Sequence, residues 1–235
     1  MTTMRTALAL GNPVVDSFER YRGACLDAAD QLDTLRRFNT LYWGGRLTEE
    51  QFNEVNLDPL VDHDQQVRRL LVLHVWFGTL TETINYWWRV YAGEYAASWY
   101  DDDLQHSRVR LRLHDRACSY KPGITPVFLD LTYGWDPTRR RTLKWARKQA
   151  RAESLNLAGT EVMSALALHP QLLKAQDGRR LPYCNLPGIR VSAPHRTDGQ
   201  SHALNIFWCP TQRMVHLFAR PLRFTESEWS APVLI

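Results

Sequence analysis

The chain is 235 residues long, with 44% hydrophobic and 23% charged side chains and a net charge of +4. That balance excludes wholesale disorder and a histone-like polycation, and it permits an anionic partner without demanding one. Nine tryptophans exceed ordinary usage, and rings of that size bury enough area for a substantial core in a single domain spanning 1–235.

The opening apolar run is too short for a secretion signal, and no window reaches eighteen uncharged apolar residues. The expected compartment is therefore the cytoplasm, away from any membrane. Cys25, Cys118, Cys184 and Cys209 are too far apart for a zinc knuckle or a Cys-x-x-Cys pair, so they are expected to be reduced, and no cofactor is expected. Along the chain, Phe18, Tyr21, Cys25, Ala28, Leu32 and Leu35 recur at spacings of three and four, which predicts a helix over 16–38. Gly44-Gly45 marks a loop, and Thr48 with Gln51 three positions on forms a capping box for a short helix that ends before Pro59. The bulky run 70–77, stopped by Gly78, reads as a buried strand. Leu80, Ile84, Trp87, Trp88, Tyr91 and Tyr95 then follow at helical spacing, which favours a strand and a helix over one long helix.

Residues 107–113 alternate, with Val109, Leu111 and Leu113 to one side and Arg108, Arg110 and Arg112 to the other, a strand with one wet face. A further strand is expected over 124–133, with Val127, Leu129, Leu131 and Tyr133 on one face, and a turn over 134–137. A basic helix over 138–152 and an apolar one over 158–174 come next. Asn156 is the expected N-cap of the second, and Pro170 should break it near His169. Asp177-Gly178 reads as a turn. Segments 203–209 and 213–219, joined by 210–212, read as a hairpin. The expected fold is α+β: an N-terminal helical region packed on a small, mostly antiparallel sheet, with a helical and aromatic part over 1–105 and an α+β part over 106–235.

Five segments follow one another in a telling order: Gln31-Leu32-Asp33-Thr34-Leu35, Leu47-Thr48-Glu49-Glu50-Gln51-Phe52, Val127-Phe128-Leu129-Asp130-Leu131, the stretch 154–170 ending in His169-Pro170, and Arg180-Leu181-Pro182. This order resembles an uncharacterised bacterial domain-of-unknown-function family, best represented in actinobacteria. The resemblance covers most of the chain but not 84–100 or the part beyond Phe218. It implies an α+β fold, and it brings neither an activity nor site residues.

Three regions carry candidate chemistry. Arg139, Arg140, Arg141, Lys144, Arg147, Lys148 and Arg151 crowd one segment without an acid among them, and helical spacing places Arg140, Lys144, Arg147 and Arg151 on one face. Such a patch suits phosphates, Trp145 within it suits stacking on a base, and Arg108, Arg110 and Arg112 extend it if the strand lies nearby. The competing reading is a solvated face paired with Asp101, Asp102, Asp103 or Glu153. The aromatic segment Tyr86, Trp87, Trp88, Tyr91, Tyr95, Trp99 and Tyr100 holds too many rings for one helical stripe, which predicts outward rings for docking a protein partner or a second copy, against burial under the N-terminal helices. The clusters Asp62-His63-Asp64 and Asp101-Asp102-Asp103 with His106 lack helical zinc spacing and match no calcium loop, so no metal site is expected. No Gly-x-Ser-x-Gly elbow, dinucleotide fingerprint or Walker loop is present. Cys184 or Cys209 with His202 or His216, and the lone carboxylates Glu161 and Asp130, are the residual catalytic candidates. The resulting expectation is a non-enzymatic binding or assembly protein docking through its aromatic surface. A nucleic-acid-associated protein using the basic helix 139–151 comes second, and a hydrolase third.

Overall fold

The computed structural model describes residues 25–57, 69–99, 110–136, 138–177, 181–192, 202–223 and 225–235. Helix α1, Ala28–Leu41, begins where the Asp27 carboxylate accepts the Asp30 amide, and it buries Leu35 and Phe38. The earlier part of the expected first helix, with Phe18 and Tyr21, lies outside the described residues. Helix α2, Glu49–Asn53, opens on the expected capping box, with the Thr48 hydroxyl and the Gln51 side chain each accepting the other's amide N–H. The ambiguous stretch resolves into a strand and a helix. Strand β1, Leu70–Trp76, is buried throughout. Helix α3, Leu80–Glu94, starts at the Thr79 cap, and a short strand β2, Ala96–Trp99, follows it.

The remaining elements are β3 Arg110–Leu113, β4 Gly123–Asp130, β5 Arg141–Thr142, α4 Leu143–Ala152, β6 Asn156–Leu157, α5 Thr160–Leu168, α6 Pro170–Lys174, β7 Tyr183–Ser192, β8 His202–Cys209, β9 Met214–Pro221, β10 Thr225–Glu226, β11 Trp229–Ser230 and β12 Val233–Leu234. Three boundaries differ from expectation. Strand β4 stops at Asp130, whose carboxylate accepts both the amide and the hydroxyl of Thr132 and so turns the chain, leaving Leu131 and Tyr133 in the turn. The basic helix begins at Leu143 rather than 138, because the Thr142 hydroxyl accepts the Trp145 amide. The apolar helix begins at Thr160 behind Gly159, while Asn156 pairs with Leu234 in a strand instead of capping. Pro170 does separate α5 from α6.

The first sheet has the order β1-β4-β12-β6 and is antiparallel. The second has the order β11-β7-β8-β9-β2, with β3 on the distal part of β7; only the β11–β7 and β2–β9 pairings are parallel. The class is α+β as expected, but its central helix is not N-terminal. All residues of α5 are buried, and it packs on β1, α3, β4 and β7. A helix that is apolar all round has no solvent face, so it belongs inside. Its polar groups are satisfied by neighbours. The Glu161 carboxylate accepts the Gly159 amide at 2.6 Å and the Tyr120 hydroxyl at 2.7 Å, Ser164 Oγ lies 2.7 Å from His74 Nδ1, and the Tyr91 hydroxyl donates to the Met163 carbonyl at 2.6 Å. The sheets meet at Gly188, where a Cβ would lie 2.6 Å from the Leu157 carbonyl oxygen; glycine allows that approach, and its amide donates to the Ala158 carbonyl.

Strand β1 is an edge, and α1 covers it. The Gln31 side chain donates to the Leu71 carbonyl at 3.0 Å and accepts the Leu73 amide at 2.9 Å, so one side chain replaces a neighbouring strand at full burial. Gln31→Leu should leave both backbone groups unpaired and cost about 2–4 kcal/mol of unfolding free energy, measured by urea denaturation; a loss below about 0.5 kcal/mol would show that the bonds are dispensable.

Two enclosed histidines make stability depend on pH. Burial pushes His74 down to about 3 and His169 down to about 4. The unfolded chain takes up these protons below its ordinary value of about 6.5, and the folded chain does not. Stability from both is therefore complete above that value and is lost as pH falls toward the folded values, at roughly 2–3 kcal/mol per pH unit for the pair. Urea midpoints should fall between pH 7 and pH 5, and equal midpoints would count against neutral, buried rings.

Candidate cleft and aromatic sheet face

The aromatic segment lies mainly inward. Trp87 and Tyr91 are fully buried, which overturns their expected place on a docking surface. Trp87 makes an edge contact with Trp43 at 5.2 Å and donates to the Val75 carbonyl, while Phe38 and Phe77 complete the cluster around Trp43. Tyr86, Trp88 and Tyr95 are half-buried; Tyr86 lies 4.3 Å from Phe77 and Tyr95 lies 6.1 Å from Trp208. The Trp99 backbone pairs with Leu217, and the Trp99 side chain and Tyr100 lie outside the described residues.

The basic segment divides. Arg147 is buried, and its guanidinium donates to the Pro187 and Ile189 carbonyls of β7, which removes it from the expected solvent face. Burial first, and then the neighbouring Arg190, lower its pKa to about 10, so it stays charged at neutral pH. Lys148 takes its place in the exposed stripe: Lys144, Lys148 and Arg151 share one side of α4, with exposed Arg140 just ahead of it. Among the described residues no ion pair engages these four. Arg139 and Arg141 reach Asp136 at 3.9 and 3.5 Å. Arg110 and Arg112 are exposed on β3, and the register sets Arg112 opposite Arg190. Arg108 lies outside the described residues, as do both acidic clusters weighed for metal. Among the described residues no group of three or more His, Cys, Asp or Glu is placed to hold a metal ion, and no helix is long and apolar enough to cross a membrane.

Both thiols and His216 lie beside other side chains. Cys184 is buried, and burial pushes its thiol up to about 12; the Gln176 amide lies 3.3 Å from its sulfur. Cys209 Sγ sits 3.2 Å from the Thr211 hydroxyl, and His216 Nε2 pairs with Gln212. Glu161 is enclosed with the Tyr120 hydroxyl, and burial raises its pKa.

The second sheet has two unlike faces. Register and burial put Cys184, Leu186, Leu204, Ile206, Val215 and Leu217 on the inner face, in the core with α5. The alternate positions face outward. There Tyr183, Phe207, Phe218 and Trp229 form a mutually packed group with ring centroids 5.1–6.0 Å apart, and each ring is half-buried. His216 stacks on Phe207, and the Arg220 guanidinium lies over Trp229 at 4.4 Å and Phe218 at 5.5 Å. Helix α4 closes the other end of this face, where Leu143 and Ala146 pack on Ala203 and Ala231.

Between the rings and the helix lies a shallow, open cleft lined by Arg141, Arg220, Asn185, Trp229, Ser230 and the first residues of α4. The Arg141 guanidinium lies 3.9 Å from the Trp145 ring centroid, so that indole serves as a support for the arginine instead of a free stacking surface. The lining holds no acid, but Asp136 just outside it pairs with Arg141 at 3.5 Å. The sequence signal for this face was the alternation in 203–209 and 213–219. It was muted because both alternating sets, Leu204 and Ile206 against Asn205 and Phe207, are bulky. Comparison of the chain with protein-family models, with curated proteins and with solved structures found no match.

Because Arg147 ties α4 to β7, Arg147→Ala should lower unfolding free energy by about 2–4 kcal/mol, since two carbonyls lose a charged donor. Thermal denaturation checks this, and a melting temperature equal to that of the unaltered chain would place Arg147 on the solvated face after all.

Proposed function

We propose that the protein binds single-stranded nucleic acid on the outward face of its second sheet and catalyses no reaction on it. The observation that carries this reading is the group of four half-buried rings with Arg220 on the outward sheet face, together with the exposed cations of α4, the helix that packs on Ala203 of the same sheet. Every base has a π-face, so stacking on such rings tolerates any sequence, while Lys144, Lys148 and Arg151 displace counterions from phosphates. Protein docking through the segment 86–99 is the weaker reading. Trp87 and Tyr91 are spent on the core, and the rings that remain near solvent on the sheet adjoin positive charge, which favours a polyanion.

Fluorescence anisotropy with a labelled single strand of about a dozen nucleotides tests this. Phe207→Ala should weaken binding by about 1–3 kcal/mol, and Trp88→Ala should leave it unchanged. Affinity should fall steeply with salt, and Lys144→Gln or Lys148→Gln should each flatten the logarithmic salt slope by about 0.7. The reading fails if no strand binds at low salt, or if binding ignores both salt and Phe207.

A further inference from the structure

We infer that Arg112, Arg147 and Arg190, set around one stretch of β7, seat a phosphate-group oxyanion; this deepens the function just proposed if the phosphate belongs to a strand, and stands apart from it if the phosphate is free. All three come from elements tied to residues 187–190. Arg112 on β3 stands directly opposite Arg190 in the antiparallel register. Strands β7 and β8 fall out of register between Leu186 and Val191, and there Arg147 reaches in from α4. Its Nε and Nη2 donate to the Pro187 and Ile189 carbonyls, which leaves Nη1 to donate elsewhere. The His114 amide donates to the Gly188 carbonyl, which brings the turn after β3 to the same place.

The charges gathered there do not balance. Like charges directly opposite on paired strands repel, so Arg112 and Arg190 lower stability as they stand. Arg147 adds a third positive charge at 9% exposure. Among the described residues Asp115 is the one acid that pairs with any of the three, at 3.0 Å from Arg190. That carboxylate is 79% exposed, and so wet a pair holds Arg190 only weakly. His114, at the border of the group, is no counter-ion. Burial, then Arg147 and Arg190, push its pKa down to about 4, and with Nδ1 accepting the Arg116 amide the neutral ring carries its proton on Nε2. Three guanidiniums thus face one exposed carboxylate. A phosphate group suits them better than a second carboxylate, because it has an oxygen for each fork.

Thermal melting near neutral pH tests this in chloride and in inorganic phosphate at equal ionic strength. In chloride, Arg112→Gln should raise the melting temperature by about 1–3 °C, because it removes an opposed charge. An unchanged or lower value removes the premise of the inference. Phosphate at about ten times its dissociation constant should raise the unaltered protein by about 3–6 °C, and Arg112→Gln and Arg190→Gln by less than about half as much. The labelled single strand then decides the source. Both variants should flatten its logarithmic salt slope by about 0.7 if the phosphate is the strand's, and leave its binding unchanged if the phosphate is free. The inference is overturned if neither the phosphate effect nor the salt slope differs between the unaltered protein and the two variants; the arginines are then a solvated face. Phosphate binding here without binding of any strand overturns the proposed function alone. Failure of both phosphate and strand to bind the unaltered protein overturns both, whatever the variants do.

Discussion

The buried helix α5 is the constraint on which the other parts depend. It lies in the core with β1, α3, β4 and β7 around it, and it carries Thr160, Glu161 and Ser164 into the buried interior. An enclosed carboxylate is tolerated only if its oxygens are bonded, and here the Gly159 amide and the Tyr120 hydroxyl supply that. The loop that bears Tyr120 is thereby tied to the helix, and β1 is tied to it through His74 and Ser164. Around this centre the two sheets have only one way to direct their apolar sides.

That arrangement decides which surface is left for function. The inner face of the second sheet is consumed by the core, so the rings on its alternate positions are turned outward. Helix α4 then covers part of that outer face, anchored by Arg147 on two β7 carbonyls and by Leu143 and Ala146 on Ala203. The buried guanidinium acts as a structural bolt, and it leaves Lys144, Lys148 and Arg151 exposed on the helix. Arg220 meets Phe218 and Trp229 because strands from distant parts of the chain lie in one sheet.

Much of the local architecture was legible along the chain. The Thr48–Gln51 capping box, the stop at Gly78, the Pro170 break and the hairpin closed by 210–212 all rest on interactions among residues close in sequence, and each is present. Boundaries shifted where a nearby side chain competed for the backbone, as at Asp130 and Thr142. The candidate site was less legible. Helical spacing placed Arg147 on one face with Lys144 and Arg151, and only the position of β7 shows that Arg147 is buried while Lys148 is exposed. Counting rings over 86–100 showed that they exceed one stripe, but not that Trp43, Phe38 and Phe77 would enclose the central ones.

The sequence alone determined the class, the order of most elements and the presence of two unusual resources, aromatic rings and clustered cations, because those follow from composition and short-range periodicity. Tertiary structure decided which rings and cations meet. The cleft is built from 134, 141–143, 146, 185, 220–221 and 229–231, positions distant along the chain that approach only in the folded sheet. Periodicity reports the face on which a residue lies, and burial of that face depends on elements that periodicity does not place.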